Sequence, residues 1–317
     1  MYRVLATDNL APEAIEVFDA YDTIEVVSAA KLGASELAAT IVDFDAVIVR
    51  SPTRLTADVI GRAARLKFIG RAGVGIDNID VDAASAKGII VMNAPGGNSI
   101  STAEHTVGMI LAVTRRIAEA DRMVRAQRWE RKALRGVELK GKTLGVLGLG
   151  RVGREVARRM QGFSMDVIAV DPLVTRETAS SYGARLVELD ELIAASHVIT
   201  AHVPLTAETR GMIGDREINR MRPGVFLINC ARGGVYDEAA VRRGLDTGRV
   251  AGVAIDVYGT EPPGAHPLFS HERSVFTPHI GAATEEARIR VGVEIAEKIA
   301  KALTTGEIRD AVNRSSS

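Results

Sequence analysis

The chain has 317 residues, 46 % of them hydrophobic, and carries 40 basic side chains against 40 acidic ones. That length suits two domains with sizeable cores, and zero net charge gives no general reason to expect nucleic acid or an anionic membrane as partner. A single cysteine, Cys230, excludes an intrachain disulfide framework.

Residues 1–97 alternate strand-like and helix-like runs. Strands are expected at Arg3–Thr7, Ile24–Val27, Ala46–Val49, Phe68–Arg71 and Ile89–Met92, with amphipathic stretches such as Pro12–Ala20, Ser35–Ile41 and Ala57–Ala63 between them. Strands alternating with helices argue a parallel sheet covered on both faces. The N-terminus enters its first strand without the apolar core of a signal peptide, so a cytoplasmic location is expected. No apolar run approaches a membrane span.

A long helical pattern follows over Ser99–Arg128, with a Ser-x-x-Glu capping box from Ser101 to Glu104 near its start. Residues 115–142 hold ten basic and four acidic residues, an excess of 10 − 4 = 6. A solvated helix face and an anion site at a subunit contact both fit that run.

Gly141 to Asp171 organises the rest. An apolar run, Thr143–Leu147, leads into Gly148, Gly150 and Gly153, which fit G-x-G-x-x-G. A helical pattern starts at Arg151, and a second apolar run ends at Asp171, 171 − 153 = 18 residues past the last glycine. That is close to the spacing a dinucleotide fold requires. Gly148 allows the tight turn, Gly150 lets backbone amides approach a pyrophosphate, and Gly153 lets the helix lie close on the strand. The helix start offers unpaired N–H groups to phosphate. Asp171 can accept hydrogen bonds from both ribose hydroxyls, and its charge would repel a 2′-phosphate, so the expected cofactor is NAD. A plain βαβ crossover is the bland alternative.

Further strands are expected at Val198–Val203, stopped by Pro204, and at Val225–Asn229, Val250–Ile255 and Val275–Thr277. Helices are expected at Asp215–Met221 and Asp237–Leu245. Glu285–Leu303 reads as a long helix that returns to the first unit. The domains are then 1–97 with 284–317, and 98–283, joined by two crossings that make a hinge.

Arg232, Glu261 and His279 each follow a strand of the second unit. The carboxyl ends of parallel strands face the ligand crevice, so the three can converge there. Oxidising a secondary alcohol needs a base for the hydroxyl proton, and histidine suits it near neutral pH. A carboxylate fixes the imidazole tautomer, and an arginine holds a carboxylate substrate by a two-pronged hydrogen bond. Taken singly, each also reads as a solvated turn arginine, a loop charge or a core histidine. His105, His197, His202, His266 and His271 are weaker candidates, and none has metal-ligand spacing, so no metal is expected. Cys230 reads as a small buried residue. Gly70–Gly75 reads either as a turn after a strand or as a nest of N–H groups for a substrate anion. Arg50, at another strand end, can face the same cleft.

The whole chain resembles the D-isomer-specific 2-hydroxyacid dehydrogenases. The motifs that carry the likeness are Val49-Arg50-Ser51-Pro52-Thr53, Gly70 to Asn78, Asn93 to Ser99, Trp129-Glu130-Arg131-Lys132 and Gly148–Gly153. They continue with Asn229-Cys230-Ala231-Arg232-Gly233-Gly234, Asp256-Val257-Tyr258 before Glu261-Pro262, and Pro278-His279-Ile280-Gly281-Ala282. The resemblance implies a Rossmann NAD-binding domain inserted in a discontinuous flavodoxin-like substrate domain, with Arg232, Glu261 and His279 catalytic. It implies Asp171 on the adenosine ribose and Asp256 on the nicotinamide carboxamide. Arg151, Val152, Val203, Pro204, Cys230, Ala231, Gly281 and Ala282 would line the same cofactor site. Val74 and Gly75 would give amides to the substrate carboxylate, near Ser51 and Asn98, while Arg50 and the partner subunit's Arg131 would meet the phosphate of a phosphorylated 2-hydroxy acid. A homodimer through the nucleotide domain is implied, and a tetramer is compatible with it. Many members carry C-terminal domains that bind serine; no such feedback is expected from these residues. Two other readings stand beside this one: a sibling reductase acting on glyoxylate or hydroxypyruvate, and an NAD-sensing scaffold like the family's transcriptional corepressors.

Overall fold

The computed structural model describes residues 1–313; the low-complexity Ser315-Ser316-Ser317 lies outside the described residues. Two compact units divide the chain: Met1–Asn98 with the chain from Ala283 onward, and Ser99–Ala282.

The first unit is built on five parallel strands: β1 (Tyr2–Ala6), β2 (Ile24–Ser28), β3 (Ala46–Val49), β4 (Phe68–Arg71) and β5 (Ile90–Asn93). Their order is β2-β1-β3-β4-β5. Every residue of β3 is buried, as an apolar run must be when helices cover both sheet faces. The helix Glu285–Thr304 covers one face and buries Val291, Ile295, Ile299 and Leu303, spaced at four. Thr284 caps it by accepting a hydrogen bond from the Ala287 amide. Gly70 lies in β4, not in an anion loop. A Cβ there would stand 2.8 Å from Ile295 Cγ1, so the glycine lets the helix settle on the strand.

The second unit is a seven-stranded parallel sheet: β6 (Thr143–Leu147), β7 (Asp166–Val170), β8 (Ala184–Leu186), β9 (Val198–Ala201), β10 (Val225–Asn229), β11 (Val250–Ile255) and β12 (Ser274–Phe276). The order is β12-β11-β10-β9-β6-β7-β8, the doubly wound arrangement with its reversal between β6 and β9. Strand β8 escaped the sequence reading because three residues, one of them Arg185, carry no usable period. The helical pattern over Ser99–Arg128 is not one helix. It breaks after Ser99–Thr114 and resumes at Ile117–Arg125, with Arg116 in the left-handed region at φ 55°. No glycine or proline marks the break. The Arg116 guanidinium holds it through Glu119 and the Ala133 carbonyl. The expected Ser101–Glu104 box does not form, since both residues lie inside the helix; Glu104 pairs instead with Arg159 at 3.3 Å.

Ile299 is fully buried between its helix and β4. Ile299→Ala is expected to destabilise the first unit by about 2–5 kcal/mol in urea unfolding. A change below about 1 kcal/mol would show that this face of the helix is not core.

Candidate active site

At the sheet reversal the chain turns sharply after β6. Gly148 adopts φ +91°, and a Cβ on it would meet the His202 carbonyl oxygen at 2.8 Å. A Cβ on Gly153 would lie 2.1 Å from the Gly148 carbonyl oxygen, so any side chain at this helix position would press into the turn. Gly150 differs: nothing lies within 4 Å of where its Cβ would be. It is the N-cap of the helix Arg151–Gln161 and provides no side-chain cap, so the first-turn amides face open space. That opening suits a diphosphate. Asp171, just past β7, completes the cradle. Its Oδ2 accepts from the Leu149 amide at 2.8 Å and its Oδ1 from the Leu173 amide at 2.8 Å. Each oxygen keeps a lone pair for a ribose hydroxyl.

His202, Val203 and Pro204 follow β9. Burial pushes the His202 imidazole down to about 3, so it is neutral, and it bonds with the Thr200 hydroxyl at 3.0 Å. After β10 come Cys230, Ala231 and Arg232. Burial pushes the Cys230 thiol up to about 12, so it stays protonated and is no nucleophile. The Arg232 turn is held by a residue that sequence reasoning missed. The Asn229 amide donates to the Arg232 carbonyl at 2.9 Å and accepts from the Ala231 N–H at 3.1 Å. A Cβ on Gly233 would fall 2.2 Å from the Tyr258 carbonyl oxygen, so the Arg232 turn lies directly on the backbone that leads to Glu261.

His279 follows β12. Its Nδ1 lies 2.7 Å from Glu261 Oε2, while Glu261 Oε1 accepts from the Tyr258 amide at 3.1 Å. The carboxylate requires a hydrogen on Nδ1 and leaves Nε2 as the basic nitrogen. His279 sits in the left-handed region at φ 54°, a conformation that needs support from its surroundings. Asp256, after β11, supplies it. Only 1 % exposed, it accepts from the Thr277 hydroxyl at 2.5 Å, the Ile280 amide at 2.9 Å and the Gly281 amide at 2.9 Å. Burial pushes this carboxyl upward, but hydrogen bonds from His105, Thr277 and the two amides outweigh it and hold the group below the usual carboxylate range. His105, a weak candidate in the sequence, therefore belongs to this cluster. His266 is sequestered in an aromatic group with Tyr258 and Phe269. Among the described residues no set of His, Cys, Asp and Glu could hold a metal ion.

In the first unit the sheet reverses between β1 and β3, and Asp8 and Arg50 stand at those two strand ends. Buried Asp8 accepts from the Arg50 amide at 2.8 Å and the Thr53 hydroxyl at 2.8 Å. Asn78 donates to the Arg50 and Thr53 carbonyls at 2.9 and 2.7 Å. Asn93 donates to the Val74 carbonyl at 2.7 Å. The loops bearing Arg50, Val74 and Gly75 are thus each tied by a short polar side chain. The Ser51 hydroxyl accepts from Arg71 at 2.7 Å. Arg131 is exposed on a 3-10 turn of the second unit, Arg131–Leu134.

Gly153→Ala forces its methyl into the Gly148 carbonyl. The variant is expected to remain folded by circular dichroism and to bind NADH at least about tenfold more weakly in a fluorescence titration, the loss of a preorganised phosphate cradle. Unchanged affinity would remove this turn from the nucleotide site.

Residues 107–281 match the family model described as D-isomer specific 2-hydroxyacid dehydrogenase, NAD binding domain. The chain is similar to a D-3-phosphoglycerate dehydrogenase from Archaeoglobus fulgidus, 47 % identical over 98 % of this chain and 59 % of that protein. A human protein of the same name is 46 % identical over 93 % of this chain and 55 % of its own length. The chain thus spans little more than half of these relatives. Among solved structures, a glyoxylate reductase from Paecilomyes thermophila superposes with TM-score 0.86 at 30 % identity, covering 98 % of both chains. A D-lactate dehydrogenase from Aquifex aeolicus, solved with NAD and lactic acid, gives TM-score 0.81 at 30 % identity over 99 % of this chain and 100 % of that one. The chain belongs to the D-isomer-specific 2-hydroxyacid dehydrogenases, and its second unit carries that family's NAD-binding domain.

Proposed function

We propose that the chain oxidises D-3-phosphoglycerate to 3-phosphohydroxypyruvate, the step that opens the phosphorylated route to L-serine. The observation that carries the chemistry is the 2.7 Å pair between His279 Nδ1 and Glu261 Oε2, at the same carboxyl-end edge of the sheet as the nucleotide cradle. The choice of substrate is supported by relatives of that name at 42–47 % identity over 98–99 % of this chain.

In this reading His279 Nε2 takes the proton of the 2-hydroxyl, and Glu261 stabilises the imidazolium that forms. Arg232 grips the carboxylate and polarises the C2 oxygen. The Val74 and Gly75 amides add hydrogen bonds to the same carboxylate, with Ser51 and Asn98 nearby. Arg50 and the partner subunit's Arg131 neutralise the phosphate. Gly148, Gly150, Arg151, Val152, Gly153 and Asp171 would hold the pyrophosphate and ribose of NAD, with Val203, Pro204, Cys230, Ala231, Asp256, Gly281 and Ala282 toward its other end. When bound, NAD supplies the acceptor for the hydride that leaves C2. A dimer through the nucleotide unit is supported by Ile117, Val124 and Trp129, apolar side chains left exposed along the 115–142 arm. The lone cysteine, buried and protonated, fits a reducing, cytoplasmic setting. The likeness to a glyoxylate reductase supports a second reading, a reductase of small 2-oxo acids that needs no phosphate site.

Formation of NADH, followed at pH 8 with 3-phosphoglycerate and with D-glycerate, separates these readings. A strong preference for the phosphorylated acid is expected, with NAD far above NADP. Equal use of the unphosphorylated acid would favour the reductase. His279→Ala is expected to lower kcat by about 10²–10⁴-fold while NADH affinity holds; an equal loss of both would remove the base role from His279.

A further inference from the structure

The bond between Thr277 and Asp256 dictates where protons lie around His105. At 2.5 Å the Thr277 hydroxyl must donate to the Asp256 carboxylate, which as an anion can only accept. Thr277 Oγ1 is then left as an acceptor, and the atom that faces it is His105 Nε2 at 3.1 Å. The same nitrogen lies 3.4 Å from Asp256 Oδ1. His105 therefore carries its hydrogen on Nε2 and shares it between the hydroxyl and the carboxylate. Asp256 Oδ1 is committed to Thr277, Ile280 N–H and His105, and Oδ2 to Gly281 N–H. The two amides gripped are those directly after His279, whose left-handed backbone depends on such support.

We propose that His105 is a positioning residue: through Thr277 and Asp256 it orients the Ile280-Gly281 backbone and so holds the imidazole of His279 against Glu261. It touches no reacting atom. The inference rests on the reading of His279 as the base only for its effect on turnover; the orientation of the ring is a separate observable. Nothing in the local sequence announces the link, since His105 and Thr277 are 172 residues apart.

Two variants separate hydrogen bonding from packing. In His105→Gln the side-chain amide nitrogen can take the place of Nε2–H. In His105→Leu the bulk remains and the donor is lost. Three readouts are taken on the whole chain: the imidazole ¹H–¹⁵N resonance of His279 Nδ1–H without substrate, NADH affinity by fluorescence, and kcat against KM for NAD. For His105→Leu the His279 resonance is expected to broaden or vanish and kcat to fall about 10–100-fold, with NADH affinity within about threefold. His105→Gln is expected to retain the resonance and to keep kcat within about threefold of the parent. The proposal is overturned if His105→Leu leaves the resonance intact, if the glutamine variant is as damaged as the leucine one, or if kcat and NADH affinity fall together with Tm. Should the parent chain oxidise no 2-hydroxy acid, the proposed function falls, and the substrate-free resonance still decides whether His105 holds the loop.

Discussion

An ionised carboxylate buried without partners would cost several kcal/mol, and Asp256 is buried and ionised. The second unit is arranged to answer that cost. Donors reach Asp256 from two stretches of chain far apart in sequence: His105 on the helix Ser99–Thr114, and the segment after β12 that supplies the Thr277 hydroxyl and the amides of Ile280 and Gly281. Each donor group is fixed by the carboxylate in return. The His279 loop is therefore not a loose connection beyond a strand. It is bolted to the sheet and to the helix that covers it, and the low dielectric that makes the buried charge expensive also strengthens the bonds that hold it.

Glycine does complementary work where backbone meets backbone. Gly148 lies against the His202 carbonyl, Gly153 against the Gly148 carbonyl and Gly233 against the Tyr258 carbonyl. In each case a methyl group would fall inside contact distance. Removing the side chain lets neighbouring strand ends close up, so that groups on four connections share one edge of the sheet. All seven strands run parallel. Every strand's carboxyl end therefore opens on the same side, and Arg232, Glu261 and His279 are brought there by topology before any local interaction refines them.

What the sequence disclosed follows from range. The glycine spacing, the run into β7 and Asp171 are local patterns, and the fold class, strand positions and NAD fingerprint could be read from them. The family's motifs carried the rest of the assignment. The break at Arg116 was hidden because apolar spacing continues across it and the turn is held by a side chain reaching Ala133, 17 residues on. The roles of His105 and Asp8 were hidden for a similar reason. A short polar side chain has the same identity whether it faces water or clamps a loop, and only its partner distinguishes the two. For His105 that partner is 172 residues away, and for Asp8 it is 42 and 45 residues away.

The two sheets solve one problem in the same way. A strand's last residue is where ladder partners run out, and backbone groups beyond it must find others. In the first sheet Asn93 ends β5 and reaches the Val74 carbonyl, while Asp8 follows β1 and takes the Arg50 amide. In the second sheet Asn229 ends β10 and clamps the Arg232 turn, while Asp256 follows β11 and takes the Ile280 and Gly281 amides. Asparagine and aspartate suit this place because their short side chains mimic a backbone unit and can take the place of a missing ladder partner. With backbone groups satisfied in this way, the loops beyond the strand ends are held at the edge where ligands bind in such sheets, and in the second sheet those loops carry Arg232 and His279. A site built so keeps its charged groups on fixed bases rather than on flexible loops, which is the arrangement that orientation-dependent chemistry requires.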